Sequence, residues 1–162
     1  MRSPTITRRA LLRGTPRPAP FRPRPPGFLL GSLDACTQCG LCMKACPEEI
    51  LAVTGDGVEL HPHLGECNFC GACAEACPEP VFEASAAMAH VMKITTDCFV
   101  QAGIACMSCR DSCPEAAIST QAQIGTPFLP RLDAAACTGC GACAASCPAD
   151  AIRTVEREIE DA

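Results

Sequence analysis

The chain has no tryptophan, no tyrosine and only six phenylalanines among its 162 residues. Large aromatic side chains therefore cannot dominate the core, and something else must order it. No run of roughly 18 apolar residues is present, so no membrane span is expected. The N-terminus lacks the apolar stretch of about 7 to 15 residues that a cleavable export signal needs. No phosphate-cradling loop, dinucleotide fingerprint or Ser, His, Asp constellation occurs, which argues against an enzyme. Residues 1–27 contain no acidic residue. On these absences the chain reads as cytoplasmic and not by itself catalytic.

What is abundant is cysteine: sixteen, close to one residue in ten. Such a density means a disulfide scaffold or a metalloprotein, and in a reducing compartment it means the second. Charge is distributed unevenly. Arg2, Arg8, Arg9, Arg13, Arg17, Arg22 and Arg24 lie in the first 27 residues, whereas the remainder carries six basic residues against all 18 acids. A basic arm on an acidic body suits docking to a partner. The body lacks the basic surface and aromatic stacking platform that nucleic-acid binding requires.

The cysteines form four blocks whose first members fall at 36, 67, 98 and 137, so internal repetition organises the chain. Block one is Cys36, Cys39, Cys42 and Cys46, followed by Pro47. Block two is Cys67, Cys70, Cys73 and Cys77, followed by Pro78. Block four is Cys137, Cys140, Cys143 and Cys147, followed by Pro148. All three have the two, two and three intervening residues, then proline, of bacterial 4Fe-4S sites. Two intervening residues let a loop curl so that successive thiolates reach corners of one cube. Gly40, Gly71 and Gly141 follow the second cysteine and leave the backbone free to approach it. Block three, Cys98, Cys106, Cys109 and Cys113 with Pro114, has seven residues between its first two cysteines. Arg110 is read as standing where the other blocks have glycine. Its cysteine count still favours a cluster, the alternative being that its cysteines only pack.

In this pattern the fourth cysteine points away from its own loop toward a neighbouring cluster. Pairing blocks in order gives Cys36, Cys39, Cys42 and Cys77 for a site A and Cys67, Cys70, Cys73 and Cys46 for a site B. It gives Cys98, Cys106, Cys109 and Cys147 for a site C and Cys137, Cys140, Cys143 and Cys113 for a site D. Each block supplying all four ligands of its own cluster remains the simpler alternative. Four 4Fe-4S clusters are expected, with all sixteen cysteines as iron ligands. A structural zinc protein would instead use cysteine pairs, often with histidine, separated by longer fingers. His61, His63 and His90 lie outside the blocks and read as solvated loop or helix residues.

The expected fold class is α+β: tandem bacterial dicluster ferredoxin-like modules with short hairpins and short helices, the iron-sulfur clusters forming much of the core. Residues 1–27 are expected to be a flexible Pro/Arg-rich arm, with a marginal helical turn over 8–13. The first module would cover 28–90 and the second 91–162. Gly55, Asp56 and Gly57 mark a hairpin turn between two short strands, and Gly125, Thr126 and Pro127 mark another. The Ala-rich stretch 81–93 is read as a helical connector, and 156–161 as a solvated acidic end.

The segment from Thr7 to Gly14, the Pro/Arg linker, three regular blocks and a stretched third block in this order resemble the NapF family, ferredoxin-type accessory proteins of periplasmic nitrate reductase systems. The resemblance implies an electron-transfer protein that binds the molybdenum and iron-sulfur catalytic subunit, NapA, in the cytoplasm. There it would assist cofactor assembly before export. Thr7, Arg8 and Arg9 also resemble a twin-arginine export address, but the polar, Pro-rich sequence that follows lacks the apolar segment such an address requires. A different class of function is a ferredoxin subunit passing electrons within a redox enzyme complex.

Overall fold

The structure is a computed structural model and describes residues 21–83, 88–125 and 127–157. Most of the arm, with the turn expected over 8–13, lies outside the described residues. So do 84–87 of the connector, Thr126 of the second turn and 158–162 of the acidic end.

Each pair of cysteine blocks is separated by a hairpin. Strand β1 (Leu51–Thr54) pairs antiparallel with β2 (Gly57–Leu60), Leu51 opposite Leu60 and Thr54 opposite Gly57, so Gly55 and Asp56 make the turn. Strand β4 (Ile118–Gln121) pairs with β5 (Leu129–Leu132) in the same manner. Both hairpins lie where their turn residues place them. In the second half an outer pair closes the module: β3 (His90–Ile94), ahead of block three, lies antiparallel to β6 (Ile152–Glu156), after block four. The first half has a reduced version of this closure, a single antiparallel bridge between Phe28 and Phe82 whose rings meet edge to face at 5.6 Å.

The helices are short. Each contains the third cysteine of its block: α1 (Leu41–Ala45), α2 (Ala72–Glu75), α3 (Ser108–Asp111) and α4 (Ala142–Ala145). Helices of four or five residues are far below the length that is stable alone in water. Their order must come from what they pack on. Two buried clusters serve this purpose. Ile50, Leu51, Val58, Leu60 and Met88 form one, against which Cys42, Cys46, Cys67 and Cys73 pack. Val91, Met92, Ala117, Ile118 and Ile152 form the other, together with Cys109, Cys137 and Cys143.

Three expectations need correction. The stretch 81–93 does not become a helix where it is described. His90, Val91, Met92, Lys93 and Ile94 find a partner strand in Ile152–Glu156, and that long-range pairing overrides the local alanine propensity. Strand β3 thus begins at His90, the last residue of the expected first module. His90 itself is not solvated: it is 0% exposed, on the strand that faces block four.

The third correction concerns the arm, whose last residues are packed. The Leu60 amide donates to the Pro23 carbonyl at 2.9 Å, which extends the first hairpin. Arg24 is buried, donates to the Val58 carbonyl and lies 5.2 Å from the centre of the Phe28 ring. Arg22 pairs with Glu59 and, at 3.1 Å, with Asp56. Pro25 and Pro26 are buried as well. A proline-rich run has no amides to satisfy at these positions, so it can lie on an apolar face without stranding donors. Compositional bias marked the segment as unfolded; the hydrogen-bond and ion-pair partners of Arg22, Pro23 and Arg24 lie more than thirty residues away in the chain, where composition does not look.

Candidate iron-sulfur sites

Four apolar cavities are each lined by four cysteines. The first contains Cys36, Cys39, Cys42 and Cys77 with Val53, Val58 and Val81. The second contains Cys46, Cys67, Cys70 and Cys73 with Ile50, Leu51 and Leu60. The third contains Cys98, Cys106, Cys109 and Cys147 with Ile94 and Ile152, and the fourth Cys113, Cys137, Cys140 and Cys143 with Met92 and Ile118. In every case three cysteines come from one block and the fourth from its neighbour. The cavities correspond one for one to the sets A, B, C and D obtained by exchanging the fourth cysteine.

The loops are built by recurring backbone reversals. Gly40, Gly71 and Gly141 precede α1, α2 and α4 with φ of 75°, 78° and 94°. Just before the second cysteine, Gln38, Phe69 and Gly139 are also left-handed, at 56°, 57° and 86°. Such reversals turn successive N–H groups to one side of a loop and make an anion-binding concavity. Glu49, Ala116 and Asp150, each three residues after a fourth cysteine, repeat the same conformation at 54°, 49° and 45°. Non-glycine residues held there carry strain that persists only where the surroundings require it. These residues escaped the sequence reading. The signal was present, a fixed offset from each cysteine, but nothing in the identities Gln, Phe, Glu, Ala or Asp announces it.

Block three solves the same problem differently. The position equivalent to the glycines is Met107, not Arg110, since it directly follows the second cysteine, Cys106. Its φ is −132°, so no glycine is needed. The seven intervening residues contain a 3-10 turn (Phe99–Ala102) ended by left-handed Gly103, which returns the chain so that Cys98 lines the same cavity as Cys106 and Cys109.

All sixteen cysteines are free thiols, as a metal-binding reading requires and a disulfide framework does not. Among the described residues no three His, Cys, Asp or Glu are arranged to hold a single metal ion. A four-iron cube needs the opposite arrangement, thiolates held apart at its corners around an apolar void. Burial pushes the Cys73 and Cys109 thiols up to about 11 and Cys143 up to about 12, and raises Cys42, Cys67 and Cys140 as well. Left alone, these groups hold their protons at neutral pH. Iron ligation must release them, so the donor set becomes thiolate only with the metal. Cys39 and Cys70 are exposed while Cys109, Cys137 and Cys143 are buried, so sites A and B open more to solvent than D. At site C the Ala151 amide donates to the Cys147 sulfur at 3.3 Å.

His90 supports block four from behind. Its Nε2–H donates to the Gly139 carbonyl at 3.1 Å, and its buried Nδ1 has no partner among the described residues. A Cβ at Gly139 would stand 2.7 Å from the His90 carbonyl oxygen, so only glycine permits this approach. Burial lowers the His90 pKa from 6.5 to about 4. The neutral ring is the folded form, while an unfolded chain takes up a proton below pH 6.5. Stability is thus complete above pH 6.5 and is lost as pH falls from there toward 4. Between pH 7 and 5 the loss should be about 2 kcal/mol. Denaturant midpoints should show this slope in the wild type and lose most of it in His90→Leu; an equal slope in the variant would sink the assignment. His63, by contrast, is half-exposed and lies 3.2 Å from Asp150.

Among the described residues no helix is long and apolar enough to cross a membrane. Family models described as 4Fe-4S dicluster domain match residues 29–78, which contain all of blocks one and two, and 104–151, which contain blocks three and four except Cys98. The ferredoxin-type protein NapF of Haemophilus influenzae is 41% identical over 135 residues, 80% of this chain and 76% of that protein. NapF of Escherichia coli is 38% identical over 151 residues, 90% of this chain and 92% of its own length. The methylamine utilization ferredoxin-type protein MauM of Methylobacillus flagellatus is 33% identical over 176 residues, 93% of this chain and 75% of that protein. Two tandem dicluster units, sixteen thiols in four apolar cavities and this extent of identity lead to one assignment: the chain is an iron-sulfur electron-transfer protein and belongs to the NapF family of ferredoxin-type proteins.

Proposed function

We propose that the four cavities hold four 4Fe-4S clusters, with the ligand sets A to D above, and that the chain acts as a non-catalytic electron carrier in the cytoplasm. Its task there is to assist maturation of the periplasmic nitrate reductase catalytic subunit, NapA, before that subunit is exported. The observation that carries the cluster reading is the convergence of four cysteines, three from one block and one from its neighbour, on each cavity. The partner reading is supported by membership of the NapF family and by the basic arm on an acidic body, a charge arrangement suited to docking. When bound, each cluster supplies a one-electron redox centre. The chain's own contribution is to hold the thiolates, exclude water with Ile, Leu and Val side chains, and place the loops in contact.

The anaerobically purified protein should contain about sixteen irons per chain. Cys106→Ala combined with Cys109→Ala should lower that by about four, the content of one cube; unchanged iron would leave block three as packing only. For the partner, immobilised protein should retain unexported NapA from a cytoplasmic fraction and not the mature periplasmic enzyme. Failure to retain purified precursor NapA would overturn that reading.

A further inference from the structure

The two modules touch through the loops of blocks two and four. The Cys67 amide donates to the Cys140 carbonyl at 2.8 Å, a backbone hydrogen bond between a cysteine of cavity B and one of cavity D. Next to it Gly141 sits directly on Pro62. A Cβ at Gly141 would come within 2.6 Å of the Pro62 Cβ and 3.3 Å of the Gly65 carbonyl oxygen. His63 and Asp150 form a further tie between the modules.

Inside each module the cavities are joined as well. Helix α1 leads from Cys42 of cavity A to Cys46 of cavity B, and both pack on the same buried cluster with Cys67 and Cys73. Helix α3 leads from Cys109 of cavity C toward Cys113 of cavity D. There Ser112 Oγ meets Ser146 Oγ at 2.7 Å, and Cys109 and Cys143 share one core. Cavity C, made by the stretched block, is lined on its other sides by Phe99, Pro130 and Pro148.

We propose that electrons pass between the modules across the contact of the Cys67 and Cys140 loops. The four sites are thereby connected in the order A, B, D, C, not in the order of their blocks along the chain. Gly141 is a positioning residue for this crossing, because any side chain there would hold the loops apart. Each crossing moves one electron, oxidising the site on one side by one and reducing its neighbour by one, with no bond or proton exchanged. The stretched block occupies an end of the line and not its middle.

The inference rests on the four-cluster reading, and its test separates the two. The full-length protein is photoreduced with a deazaflavin as electron donor and examined by electron paramagnetic resonance, with iron counted in parallel. Emptying site C with Cys98→Ala and Cys106→Ala should leave A, B and D all broadened by magnetic interaction with a neighbour. A sharp, isolated signal from D would overturn the order. Emptying site D with Cys113→Ala and Cys137→Ala should turn C into an isolated signal, and a C signal still coupled would also overturn it. If the D variant loses eight irons instead of about four, the C variant alone decides. Wild-type iron well below about sixteen per chain would instead overturn the four-cluster reading and the order with it.

Discussion

Chelating the iron from this protein under reducing conditions should abolish its circular dichroism and its compactness together. Among the described residues the α-helices are four or five residues long, and every sheet has only two strands. Isolated pairs of strands are marginal in water, and helices of this length are not stable by themselves. Among the described residues the largest fully buried side chains are Ile50, Leu60, Met92, Ile152, His90, Val58, Val81 and Val100, a modest set for a chain of this length and one without a phenylalanine. Cys109, Cys137 and Cys143 belong to the core in their own right. Without iron, cavities lined by thiols whose protons are held tightly must either collapse or fill with water, and in both cases α1 to α4 lose their anchor. Metal binding is thus folding free energy in this protein. Native circular dichroism and an unchanged hydrodynamic radius after complete iron removal would refute the expectation.

Truncating the N-terminus at two different points should give two different results. Removal of residues 1–20 should leave iron content and absorbance unchanged while weakening capture of the NapA precursor. The loss should be largest at low salt, because five of the seven arginines in the first 27 residues are removed and exposed charge pairs are screened. Removal of residues 1–27 should in addition unsettle the first module. It deletes the Pro23 carbonyl that accepts from Leu60, the buried Arg24 with its bond to Val58, the Arg22 pairs with Glu59 and Asp56, and the cover of Pro25 and Pro26. The lost Leu60 and Arg24 hydrogen bonds and the uncovered apolar face by themselves amount to about 3 kcal/mol. The midpoint of thermal bleaching should fall by ~10 °C or more. Identical bleaching curves for the two truncations would show that residues 21–27 contribute nothing to the module. Identical salt dependence of NapA capture for the wild type and the shorter truncation would remove the docking role of the arm.

The cysteine sets that line the four cavities were legible in the sequence because the spacing that cluster ligation needs is local. Three cysteines within seven residues set which thiols can share one cube, and the proline after the fourth turns the chain at a fixed distance from it. That arithmetic yielded the four blocks, the likeness to a family and the exchange of Cys46, Cys77, Cys113 and Cys147 between neighbours as one of two open assignments. Gly55 with Asp56, and Gly125, likewise marked turns whose geometry depends on a few adjacent residues.

What tertiary structure alone decided involves groups far apart in the chain. Arg24 in a Pro/Arg-rich run reads as solvated until Val58, thirty-four residues on, comes to accept its hydrogen bond. The stretch 81–93 reads as helix until β6, some sixty residues later, offers a strand with which His90–Ile94 pair. His90 reads as a surface residue until that pairing buries it behind Gly139. The contact of Cys67 with Cys140, which sets the order of the four sites, joins two loops whose sequences say only that each binds iron. Ligand spacing is a property of a single loop, whereas burial, strand pairing and the meeting of modules depend on which distant surfaces the folded chain brings together.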